Sequence, residues 1–143
     1  MGGDGPVRHQ HDWRLPMAAT APALARQCVE EAVRDVVRPA RLRDVQLLTT
    51  ELVTNAVKYG LPYPDGCITL SVQTVEDAVR VAVGDGGSEF EWTPPRGGDS
   101  LEGRWGLRLV DTLSTTWGVS LSGIKAVWFE MATATSKSHP IGL

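Results

Sequence analysis

The sequence predicts an α+β domain in two layers, with a mixed and mostly antiparallel sheet and helices packed on one face. Three observations predict it. "CITLSVQTV" and "AVRVAVGD" alternate apolar and polar residues cleanly and are joined by the short stretch from Glu76 to Ala78, so they form a hairpin. Two further strand-like runs, "TWGVSLS" and "KAVWFEMAT", lie near the end of the chain. Stretches of three-to-four periodicity separate these groups, which gives the order β-α-α-β-β-loop-α-β-β. Strands grouped in hairpins, with helices between the groups, favour helices on one face of a sheet.

In chain order, residues 1–10 are polar and glycine-rich and are expected to be disordered, and the domain is expected to span 11–134. "HDWRLPM" makes a first strand with Trp13 and Leu15 on one side. Thr20 is a suitable N-cap with Pro22 in the first turn. The helix that follows carries Leu24, Cys28, Val29, Val33, Val36 and Val37 inward and stops at Pro39. A second helix runs from about Arg41 to Tyr59, with Gly60 as a left-handed cap. Residues 86–105, rich in glycine and proline, have no sustained periodicity, and a loop this long inside a domain is usually functional. A third helical pattern starts at Gly106 with Leu107, Val110 and Leu113, and 135–143 form a loose tail. Trp13, Trp117 and Trp128 fall in strand patterns and are expected in the core, while Trp92 and Trp105 flank the loop.

With 143 residues the chain suits one domain, burying roughly 70% of its unfolded surface. A net charge of −3 without like-charge runs argues against direct binding of nucleic acid or an anionic membrane. Neither Cys28 nor Cys67 has metal-ligand spacing, and His9, His11 and His139 lie at or beside the ends. The absence of a signal peptide or a transmembrane-length apolar run leads to the expectation of a cytoplasmic protein.

Three elements carry chemistry. In the second helix Glu51, Asn55 and Lys58 fall within about 60° of one another, with Asp44 in the same sector and Leu47 and Leu48 alongside. The wet face lies elsewhere, around Arg43, Gln46, Thr50 and Thr54. Either this narrow stripe is an intrahelical network with Lys58 reaching for water, or it lines a pocket with a base, a metal-binding amide oxygen and a phosphate-binding cation. Asp85 ends a strand and can accept a hydrogen bond from an exocyclic amine, and Gly86 and Gly87 admit a planar ring. The same Asp-Gly-Gly also makes ordinary turns. In "GRWGLRLVDTL" the glycines precede a helix whose free N–H groups favour phosphate.

Taken together, "TELVTNAVKYG", "DGGSEFE", "GRWGLRLVDTLSTTWGV" and "VWFE" resemble the GHKL ATPase superfamily over residues 12–133. Within it they are most similar to the bacterial anti-sigma regulatory factors with serine/threonine kinase activity. The resemblance implies a Bergerat-type sandwich and a bacterial cytoplasmic regulator using ATP and Mg²⁺. Its lid would span about residues 86–105. Glu51 would be the general base and Asn55 the Mg²⁺ ligand. Asp85 would bind the adenine amino group, and Gly87 would make room for the base. Gly106 and Leu107 would present amides to the phosphates; apart from the resemblance, Lys58 and Arg104 are candidate phosphate cations that could offset contacts missing from the pattern. The partners would be a sigma factor and an anti-anti-sigma factor whose serine or threonine is phosphorylated, and a homodimer is compatible with this. Glu89, Arg108 and Ala126 depart from the pattern, which bears on catalysis more than on binding. Two alternatives remain, a nucleotide-binding interaction module without catalysis and a protein-binding domain without nucleotide.

Overall fold

The computed structural model describes residues 7, 9–87, 108–120 and 125–133. The tail 135–143 and the lid from residue 88 onward, with Trp92 and Trp105, lie outside the described residues. The chain runs β1 (His9–Pro16), α1 (Ala21–Val33), α2 (Pro39–Tyr59), β2 (Cys67–Thr74) and β3 (Ala78–Gly84). It continues as α3 (Arg108–Leu113), β4 (Thr116–Ser120) and β5 (Ala126–Ala132). The strands form one sheet in the order β1-β2-β3-β5-β4. All four pairings are antiparallel, so the mostly antiparallel sheet that was expected is antiparallel throughout its described strands.

Burial follows the period of each element. Ile68, Leu70 and Val72 of β2, Val79, Val81 and Val83 of β3, and Phe129 and Met131 of β5 point to one face and are buried. Against them lie Ala21, Ala25, Val29 and Val33 of α1, and Val45, Leu48, Thr49, Leu52, Val53 and Ala56 of α2. This is a two-layer α+β sandwich with helices on one face, as the sequence predicts.

Several boundaries and faces differ from expectation. β1 begins at His9 because His9 and Gln10 pair with Thr74 and Gln73. α1 ends at Val33, and a turn follows in which the Val36 and Val37 N–H groups both donate to Val33 O. Pro39 therefore opens α2 instead of merely stopping α1, and it holds Arg38 extended at φ −73°, ψ 158°. Leu24, Val36 and Leu47 are exposed. Val29, Val33 and Val37 are buried as expected, and the inward stripe of α1 starts from Ala21 and Ala25 instead of Leu24. Thr20 makes no side-chain cap. Trp13 and Trp117 pack partly buried against the core. Trp128 instead lies on the opposite sheet face, with the Arg80 guanidinium 4.2 Å from its ring centroid.

Candidate functional site

Helix α2 does not end in a left-handed cap. Gly60 is extended at φ −90°, ψ −176°, and it is a glycine for a different reason. A Cβ there would stand 2.7 Å from Ala56 O and 2.7 Å from Asp85 Oδ2, so the backbone must pass bare against the Asp85 carboxylate. From Gly60 the chain enters the segment 61–66, which folds back on the Asp85 turn. Gly86 N–H donates to Leu61 O at 2.6 Å. A Cβ on Gly86 would collide with the Pro62 backbone, so Gly86 serves this contact and not a ligand ring. Arg14 holds the same segment from β1, with a two-pronged pair to Asp65 at 2.6 and 2.9 Å and its guanidinium 5.0 Å from the Tyr63 ring centroid. The guanidinium lowers Asp65 to about 2, and burial pushes the Tyr63 hydroxyl upward.

Asp85 is thereby fixed from several sides. It is 7% exposed. Its Oδ1 accepts the Gly87 N–H at 2.7 Å, and its own N–H donates to Lys125 O at 3.3 Å. Oδ2 faces Lys125 Nζ at 3.6 Å, an ion pair too long for a hydrogen bond. Lys125 is itself 8% exposed. It reaches Asp85 because β3 and β5 pair with Gly84 opposite Ala126, which sets the next residues outward face to face.

Beside this pair opens a cleft whose empty space, counted out into open solvent, is ≈ 370 Å³. Among the described residues its apolar walls are Leu52, Ala56, Val83 and Val127. Asn55, Asp85 and Lys125 supply polar groups, and Tyr59 and Gly60 stand at the helix end. Asn55 Nδ2 is buried without a hydrogen-bond partner, so the amide is not spent on a network with Glu51. Its two ends exchange by a flip, which leaves either a donor or an acceptor for a ligand. Apolar walls with a few convergent polar groups, one of them unsatisfied, suit a flat heterocycle with a polar edge.

The predicted residues divide as follows. Asn55 and Asp85 meet at the cavity, and Gly87 orients Asp85 through its N–H. Glu51 is half-buried one turn before Asn55 and is not among the cavity's described lining, and Lys58 is exposed in the last turn of α2. Asp44 pairs loosely with Arg41 at 3.9 Å, away from the cavity. Arg104, Gly106, Leu107 and Glu89 lie outside the described residues. Sequence reasoning missed Lys125 and the role of Gly60.

Residues 15–127, well over half of the chain, match the family model of the histidine kinase-like ATPase domain. The chain belongs to this family. The match covers the described cavity, which holds Asn55 and Asp85 of the expected site residues. No curated protein matches this histidine kinase-like ATPase domain individually. Among its described residues no helix is long and apolar enough to cross a membrane. Nor do the described residues include three or more His, Cys, Asp or Glu side chains grouped to hold a metal ion.

Proposed function

We propose that this domain binds Mg-ATP and acts as an anti-sigma-factor-like regulator, phosphorylating a serine or threonine of an anti-anti-sigma partner. The observation that carries the reading is the cavity itself, where the buried Asp85 carboxylate and the unpartnered Asn55 amide stand between apolar walls in a domain of this family. Asp85 accepts from the exocyclic amine of adenine, while Leu52, Ala56, Val83 and Val127 cover the ring. Asn55 fits Mg²⁺, because this ion typically takes few protein ligands and completes its shell with water and phosphate oxygens. When bound, the ion neutralises phosphate charge. Glu51 orients the incoming hydroxyl and takes its proton as the oxygen bonds to the γ-phosphorus and ADP departs. A sigma factor is the second partner, and a homodimer is compatible with this reading.

Binding is tested by thermal unfolding with ATP and Mg²⁺. At about 100 times Kd the ligand adds roughly 2.7 kcal/mol, or about 5–10 °C in Tm for a domain of this size. No shift at millimolar ATP with folded protein removes the nucleotide reading. Transfer is tested by incubating the protein with γ-labelled ATP, Mg²⁺ and candidate sigma and anti-anti-sigma partners. ATP binding without label on any partner would favour an interaction module that has lost catalysis, a reading to which Ala126 lends support because it offers no polar side chain beside Lys125.

A further inference from the structure

Lys125 is the cavity's unexplained group. A lysine is almost never this deeply buried unless it is paired, and its only described side-chain partner is Asp85, too far away for a hydrogen bond. The ammonium has three donors, and none of them has a close hydrogen bond to a side chain among the described residues. It lines the same cavity as Asp85, so an acceptor and a donor stand side by side, 3.6 Å apart, at one wall. That arrangement complements an amidine-type edge, in which an N–H donor adjoins a bare ring nitrogen. Adenine has such an edge in its 6-amino group and N1.

We propose that Lys125 is a second base-reading residue, its ammonium donating to adenine N1 while Asp85 accepts from the 6-amino group. The proposal rests on the nucleotide reading above and deepens it. Binding then replaces a loose internal ion pair by two charge-assisted hydrogen bonds, and both buried charges keep a partner. It also sets specificity. A 6-oxopurine presents N–H at position 1 and oxygen at position 6, so in the same pose it turns a donor toward the ammonium and an acceptor toward the carboxylate. Both contacts become repulsive.

The test compares ATP with 1-deaza-ATP, which keeps the 6-amino group and replaces N1 by C–H, and with ITP, by calorimetry on the unmodified protein. The expected result is a loss of about 10-fold or more for 1-deaza-ATP, as for a hydrogen bond to a charged group, and a larger loss for ITP. In Lys125→Met, whose fold is checked by circular dichroism, ATP and 1-deaza-ATP should bind within about 2-fold of each other, because the charged donor they distinguish is gone. Equal affinities of ATP and 1-deaza-ATP for the unmodified protein overturn the role of Lys125 and leave ATP binding intact. Tighter binding of ITP than of ATP also overturns it, since the pair then reads the opposite edge. Failure of ATP itself to bind overturns the nucleotide reading, and this proposal with it. The comparison on unmodified protein decides the matter even if Lys125→Met does not fold.

Discussion

Alanine at position 60 would place a methyl group 2.7 Å from Ala56 O, 2.7 Å from Asp85 Oδ2 and 2.9 Å from Asp85 Cγ. None of these atoms gives way easily. Ala56 O is held in the helix and accepts the Gly60 N–H at 2.9 Å. The carboxylate is tied by the Gly87 N–H at 2.7 Å and faces Lys125. Overpacking of this kind costs about 1–3 kcal/mol, which for a domain of this length lowers Tm by about 3–10 °C. The displaced carboxylate should also lose its alignment with the cavity, so ATP affinity should fall together with stability. Gly60→Asn separates this cause from capping. A left-handed cap tolerates asparagine better than alanine. At an extended position pressed on a carboxylate, the larger asparagine should be at least as harmful. Thermal unfolding of both variants decides the matter. A Gly60→Ala protein that melts like the unmodified one, or a Gly60→Asn protein clearly more stable than Gly60→Ala, would refute the close-approach argument.

Three further outcomes are expected. Asp65 is lowered from 3.8 to about 2 by Arg14, so the stability it contributes is present above about 3.8 and is lost as pH falls through about 2. Arg14→Ala should return its titration toward the ordinary carboxylate range, read by NMR of the Asp65 carboxyl, and an unmoved titration would rule out Arg14 as the cause. Asp85→Asn leaves the Lys125 ammonium buried without its counter-charge, so it should lose on the order of 3 kcal/mol of stability in denaturant unfolding and weaken ATP binding. Unchanged values in both measurements would remove Asp85 from the site. Glu51→Ala should leave ATP affinity within a few-fold and cut phosphoryl transfer by about 10²–10⁴, whereas Asn55→Ala should reduce both, as checked by calorimetry and transfer of label.

The parts of the fold legible in the sequence were those whose burial repeats locally. The alternation from Cys67 to Thr74 is the burial alternation of β2, and the spacing of Val45, Leu48, Leu52 and Ala56 is the inward face of α2. Leu24 and Val36 misled for a related reason. Large apolar residues weigh heavily in a periodic pattern, but α1 turns Ala21 and Ala25 inward and leaves Leu24 outside. In the site, Asn55 and Asp85 belong to short local patterns and could be singled out. Lys125 could not, because it meets Asp85 only through the pairing of β3 with β5, a contact between distant segments that no local spacing encodes. Gly60 sat in plain view at a helix end, where the common explanation of glycine hid the uncommon one.

Asp85 and Asn55 contrast in how the fold holds them. Asp85 is fixed by contacts from separate segments: the Gly87 N–H, the Lys125 carbonyl and ammonium, and the bare backbone of Gly60. In the same cavity, the Asn55 amide keeps a buried nitrogen without a partner. Leaving such a group unsatisfied costs about 1–3 kcal/mol, and stability alone would favour an apolar residue of similar shape. A chain that immobilises one polar group and leaves its neighbour unsatisfied carries a cost that a ligand can remove on binding. Glu51 stands apart from this logic, half-buried and outside the described lining of the cavity. If the domain works as proposed, recognition and chemistry are therefore expected to be separable by mutation. On the proposed reading, substitutions at Asn55, Asp85 and Lys125 should act first on the affinity for nucleotide, and substitution at Glu51 on the transfer step alone.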